Sequence, residues 1–146
     1  MIELAGSKQF SVPIERLYPE LADLTRLVQS LPDVKTVKEV SEEAAVIVVA
    51  PGLSFIKGEL ETTIQRTAAS PPTAATLSVA SKGIGTTVKV TASFTLASHD
   101  AGSEMNWQAQ VTELGGLLKL IPGSLLKGAA QKVIEGWLTS LAARLS

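Results

Sequence analysis

The sequence contains no cysteine, one histidine (His99) and only 4% aromatic residues. Without cysteine there are no disulfides, no thiolate metal ligands and no cysteine nucleophile. One histidine alone does not make a Cys/His zinc site, so no metal is expected. A surplus of one charge is also missing, because 13 basic side chains meet 14 acidic ones for a net charge of −1. A nucleic-acid binder would carry a basic stripe, so nucleic acid is excluded as the expected partner. No run reaches the roughly 18 apolar residues of a membrane-spanning helix. Met1 leads directly into an alternating pattern rather than a charged and then apolar leader, so no secretory signal is expected. The expected location is cytoplasmic, with at most peripheral contact on the inner face of the cell membrane.

What is present is a chain of 146 residues, 45% hydrophobic, the size of a single domain spanning 1–146. Ala, Val, Leu and Thr supply much of it. Such side chains fill an interior less completely than aromatics do, which favours a cavity. Up to Gly115 the chain reads mostly as strands. Ile2–Val12 alternates, with Lys8 on the inward face at a rim. Pro13 ends that strand. Ile14–Leu21 and Ala22–Leu31 read as two short helices, broken around Pro19 and Asp23. Val34–Val40 and Ala44–Ala50 read as a hairpin, and the second run is apolar enough to be covered on both faces. Leu53–Ala69 reads as a long strand with a bulge near Phe55–Gly58. Thr73–Lys82, Thr86–Ser98 and Ser103–Glu113 alternate in the same way.

Gly115-Gly116 breaks this pattern. Wound at about 100° per residue, Leu117–Leu145 is amphipathic. Leu126, Ala130, Val133, Trp137 and Leu141 share one side, flanked by Leu118, Leu125, Ala129, Ile134, Leu138 and Leu145. The arc is wider than a surface helix needs, so it faces more than one partner. Arg144 near the end suits the dipole of its own helix. Pro122 lacks an amide proton and suits a first helical position, so the regular helix is expected from about Pro122. Leu117, Leu118, Leu120, Ile121 and Pro122 then form an apolar flap, a candidate gate. The fold class is α+β: a curved antiparallel sheet of about seven strands gripping a long C-terminal helix, with two short helices after the first strand.

The order and several local motifs resemble one family. Leu31-Pro32-Asp33 is similar to the turn after the second helix in the family of CoxG, a carbon monoxide dehydrogenase subunit, which usually has Gly where Asp33 stands. Gly52 to Phe55, Lys57 and Gly58 resemble its Phe-Lys-Gly strand end, interrupted by Ile56. Lys82-Gly83-Ile84-Gly85 resembles its Gly-rich turn, and Leu114-Gly115-Gly116-Leu117 resembles its lead-in to the last helix. The resemblance covers essentially the whole chain. It implies the helix-grip fold of the START or SRPBCC superfamily and a non-catalytic accessory role. It also implies association with a molybdenum-containing hydroxylase-type redox enzyme, recruitment of that enzyme to the membrane and handling of a quinone-like acceptor.

Catalytic residues are not expected. His99-Asp100 lies in a loop, Glu42-Glu43 and Glu59/Glu61 read as solvated, and nothing assembles a nucleophile, base and oxyanion site. A cyclase- or hydrolase-type enzyme would need inward polar groups, and only Thr62 and Lys8 qualify. The leading expectation is a binding module for a hydrophobic small molecule, with no resident cofactor but a quinone or lipid as cargo. By strand parity and helix phase its lining would be Leu60, Leu77, Val79, Val90, Phe94, Trp107, Leu118, Leu125 and Ala129. The alternative is an adaptor with a filled or vestigial pocket, docking a redox enzyme or a membrane through the helix or a sheet edge, with Lys119 and Lys127 as the electrostatic contact on an anionic membrane.

Overall fold

The computed structural model describes residues 2–51 and 58–146. The chain forms β1 (Ile2–Phe10), α1 (Ile14–Ala22), α2 (Leu24–Ser30), β2 (Val34–Val40), β3 (Ala44–Val49), β4 (Leu60–Ser70), β5 (Ala74–Gly83), β6 (Thr86–His99) and β7 (Gly102–Gly116). A 3-10 turn (Leu117–Leu120) and α3 (Gly123–Leu145) follow. The strands make one seven-stranded antiparallel sheet in the order β1-β7-β6-β5-β4-β3-β2. Consecutive strands are neighbours from β2 to β7, and β1 closes the far side against β7. The expected α+β helix-grip architecture is therefore the one observed.

Local differences from the sequence reading have physical causes. Pro19 does not break the helices; it lies inside α1, where its missing N–H removes only the bond to the Glu15 carbonyl. The break is at Asp23, whose carboxylate accepts from the Thr25 amide at 3.0 Å and caps α2. The first strand stops at Phe10, although Val12 is still buried. In β3 only one face is covered. Ala45 and Ile47 are buried, whereas Val46 and Val48 are half-buried on the outer face opposite Thr63 and Glu61. The expected start of the long strand at Leu53 and most of its bulge near Phe55–Gly58 fall outside the described residues; Gly58 and Glu59 lie outside the strand, and β4 begins at Leu60.

Two buried clusters hold α1, α2 and α3 on the concave face. The larger joins Leu17, Tyr18 and Leu21 of α1 to Phe94, Met105 and Trp107 of the sheet and to Leu138, Leu141 and Leu145 of α3. The smaller joins Leu24, Leu27 and Val28 of α2 to Ala45, Ile47 and Ile64. Polar ties reinforce the same end. Glu20 on α1, little exposed, pairs with Arg26 of α2 at 3.3 Å and with Arg144 of α3 at 3.1 Å. Arg144 thus binds a neighbouring helix rather than merely answering its own dipole. Arg66 donates to the Ala22 carbonyl at 2.9 Å, placing a cation at the C-terminus of α1. Trp137 Nε1 donates to Ser30 Oγ at 3.0 Å, linking α3 to α2.

Candidate functional site

The centre of the concave face is built from small residues. Ala92 on β6 and Ala109 on β7 are directly opposite, and Leu4 of β1 pairs with Ala109 on the other side. Above them α3 presents Ala129, Ala130 and Ile134. Methyl groups facing methyl groups across a sheet–helix gap leave space that larger side chains would have filled.

That space is a chain of three adjoining cavities of about 360, 280 and 120 Å³. Ala109 and Ile134 line all three. The largest runs from Ile64, Leu77 and Val79 to Val133 and Trp137 and reaches the surface residues Pro32 and Asp33. The second lies under the first half of α3, between Val88, Val111 and Leu126. The smallest lies beside Phe94 and Trp107. The largest is in the size range of small-molecule sites, and the walls are almost wholly apolar.

The residues expected to line a site divide as follows. Leu77, Val79 and Val90 line the largest cavity, and Val90, Leu118 and Ala129 the second. Phe94 and Trp107 line the smallest. Leu60 lines none of the three; it packs against Leu118 as a plug, with Leu126 and Ile121 against the pair. Leu125 lines none of them either. It points to solvent, because one residue of helix turns the side chain about 100° away from Leu126. The structure adds Ile134, Val133, Trp137, Ala92, Ala109 and Leu27 to the walls. Parity and phase already put most of these inward; what the sequence lacks is which inward positions meet space instead of one another.

The expected gate is tied to the β5–β6 turn at its first residue and closed by one hydrogen bond within itself. The Leu117 amide donates to the Gly85 carbonyl at 3.0 Å, and the Ile121 amide to the Leu118 carbonyl at 3.2 Å. Leu118 is buried, whereas Leu117 and Leu120 are exposed. Pro122 precedes α3 as its N-cap. Trp107 stands over Gly6, where an added Cβ would lie 2.8 Å from the indole ring, so that strand position requires glycine.

Among the described residues the chamber walls carry no reactive group beyond the hydroxyls of Thr62, Ser81 and Ser93 and the rim carboxylate of Asp33. The exposed His99 has Asp100 at 3.6 Å and Gln9 at 3.2 Å, and none of these lines any of the three cavities. Among the described residues no three His, Cys, Asp or Glu side chains cluster as metal ligands. Among them, too, no helix is long and apolar enough to cross a membrane.

A family model described as CoxG, a carbon monoxide dehydrogenase subunit, matches residues 6–146. The chain belongs to the CoxG family. No curated protein matches its sequence. Among solved structures, a conserved protein from Geobacillus kaustophilus superposes with a TM-score of 0.89 at 20% identity, covering 99% of this chain and 95% of that one. A START superfamily protein from Mycobacterium smegmatis gives a TM-score of 0.71 at 11% identity, over 98% and 96% of the two chains. A STAR-related lipid transfer protein fragment from Xanthomonas axonopodis gives 0.63 at 17% identity, over 98% and 85%. These likenesses establish the fold.

The CoxG-like motifs have conformational reasons. Asp33, standing where the family usually has Gly, has φ of 63°, a left-handed conformation that Asp tolerates better than most residues. Ile84 and Gly85 have φ of 48° and 72° between the paired Gly83 and Thr86, as in the two-residue turn that suits a twisted hairpin. Gly116 has φ of 67°, and a Cβ there would run into the Gly85 carbonyl. The Phe-Lys-Gly match falls mainly outside the described residues.

Proposed function

We propose that this CoxG-family protein is a non-catalytic accessory carrier that holds an apolar molecule between the concave sheet and the first half of α3. The observation that carries the reading is the set of adjoining apolar cavities, of which those of 360 and 280 Å³ share Val90, Ala109, Val133 and Ile134 as lining residues. Burial of an apolar guest there is favoured by roughly 25 cal/mol per Å² removed from water, less the cost of association. An isoprenoid quinone or a lipid is the proposed cargo. A molybdenum hydroxylase-type enzyme such as a carbon monoxide dehydrogenase is the proposed partner, by virtue of the family. The Leu117–Pro122 segment is the proposed gate, opening when Leu118 lifts from Leu60. Slow hydrogen exchange throughout Leu117–Ile121 would rule that gate out.

The test is to purify the protein from its native host, denature it and analyse the organic extract by mass spectrometry. A stoichiometric quinone or lipid supports the carrier. An extract without either, from well-folded protein, overturns it.

A second reading, peripheral docking on a membrane, is favoured by one surface. Ile84, Leu117, Leu120 and Leu125 are all exposed, and Leu117 is hydrogen-bonded to the Gly85 carbonyl of the Ile84 turn. Lys119 and Lys127 stand in the same stretch. An apolar tip with flanking lysines suits an anionic lipid surface. Flotation with anionic vesicles should recover the wild type and lose a Lys119→Glu/Lys127→Glu variant; equal recovery of both would sink the electrostatic contact.

A further inference from the structure

Among the described residues the 360 Å³ cavity, the largest of the three in the chamber, has an apolar floor except at one place. Thr62 on β4 and Ser81 on β5 are register partners, and their hydroxyl oxygens are 2.7 Å apart. Both side chains line the 360 Å³ cavity, and Thr62 is only 5% exposed. Each hydroxyl has one proton to donate and two lone pairs to accept with. One proton closes the bond between the two oxygens. Among the described residues neither hydroxyl has another hydrogen-bond partner. The pair therefore offers the cavity one unspent O–H donor. Such a donor is costly to leave unpaired in apolar surroundings.

We propose that Thr62 and Ser81 form the polar recognition point of the chamber, selecting an apolar molecule that carries a neutral oxygen acceptor, a carbonyl or an ether, at one end. This rests on the reading of the chamber as a ligand site. The charge pattern narrows the class further. Among the described residues no Lys or Arg lines this cavity, and its one charged lining residue is Asp33, at the surface. A carboxylate head would meet no counter-charge and an acidic neighbour, so a free fatty acid is disfavoured and a neutral carbonyl compound favoured. The occupant lies with its oxygen on β4 and β5. Its hydrocarbon part runs beneath Val90 and Ala109 into the 280 Å³ cavity, whose described wall residues are all apolar.

The experiment compares two probes with one ring system: menadione, which has carbonyl oxygens, and 2-methylnaphthalene, which has none. Each competes against the neutral fluorescent reporter N-phenyl-1-naphthylamine on the wild type and on a Thr62→Val/Ser81→Ala double variant. Both substitutions keep side-chain size close to the original, and a thermal melt of the double variant checks that it is folded. The expected result is a loss of about fivefold in menadione affinity, the usual effect of one neutral hydrogen bond, with 2-methylnaphthalene unchanged. An unchanged menadione affinity, or an equal loss for both probes, overturns the recognition point and leaves the chamber reading standing. If neither probe nor reporter binds the wild type, the chamber reading fails and the recognition point fails with it.

Discussion

Leu138, Leu141 and Leu145 in the second half of α3 are 1%, 2% and 5% exposed, whereas Leu125 and Val133 in the first half are 52% and 43% exposed. One helix thus lives in two environments. From Trp137 onward it is fixed by apolar contacts with α1 and the sheet, by the Trp137–Ser30 hydrogen bond and by the Arg144–Glu20 ion pair. Before Trp137 it spans the chamber, and Leu126, Ala129 and Ala130 look onto space. The second half provides the stability that lets the first half remain underpacked. A cavity can persist only when packing elsewhere offsets the dispersion contacts its walls forgo.

The sharpest way to break this division is a cut into the fixed half. Leu141→Ala removes a side chain buried among Leu17, Phe94 and their neighbours, and should lower the unfolding free energy by about 2–5 kcal/mol. Urea denaturation followed by circular dichroism measures it. A loss below about 1 kcal/mol would mean that the second half is not the anchor.

A smaller effect sharpens the same end. Tyr18, the chain's single tyrosine, packs on Phe94 with ring centroids 6.0 Å apart and donates to the Ala74 carbonyl at 3.0 Å. Burial raises its pKa above the ordinary value, and the nearby Arg66 charge partly opposes that. The folded protein therefore holds this proton more tightly than the unfolded chain. The contribution is fully present below the ordinary tyrosine pKa of about 10 and is lost as pH rises through the folded value. Tyr18→Phe should cost about 1 kcal/mol at neutral pH through the lost hydrogen bond. It should also flatten the fall in stability above about pH 10. Denaturant midpoints at neutral and alkaline pH, wild type against variant, give both numbers; an unchanged alkaline slope would show that Tyr18 is not its source.

The difference between the halves is only partly legible in the sequence. Alternation locates the sheet and its concave face, and Pro122 with the paired glycines locates the start of α3. These are local signals, written in periods of two and 3.6 residues. What decides the site is not local. Glu20, Arg26 and Arg144 read separately as surface charges, and only the docking of the helices brings them together. Thr62 is visible as an inward polar residue, but its bond to Ser81 depends on the β4–β5 register. Phase puts Leu125 on the wrong side because it does not say where the seam between an apolar arc and solvent falls. Parity points Leu60 inward, yet it meets Leu118 instead of space, because side-chain length as well as direction determines whether two inward residues touch.

The smallest expected effect on stability is the most informative about function. Ala130 is half-buried on the first half of α3 and lines the 280 Å³ cavity. Ala130→Leu places three more carbons into existing space, not into a close-packed core, so the overpacking cost seen in tight interiors does not apply. Its unfolding free energy should stay within about 1 kcal/mol of the wild type, with any change tending upward as apolar surface is buried. The same substitution narrows the passage beneath Val90 and Ala109, so displacement of an apolar reporter by ligand should be markedly weakened. Denaturation and reporter titration of one variant read the two properties separately. A strong destabilisation would show that the first half is already tightly packed, and the contrast with the second half would disappear. Unchanged binding with unchanged stability would put the occupant elsewhere along the chamber, beside Trp107 or Thr62, and leave the 280 Å³ cavity as mere underpacking.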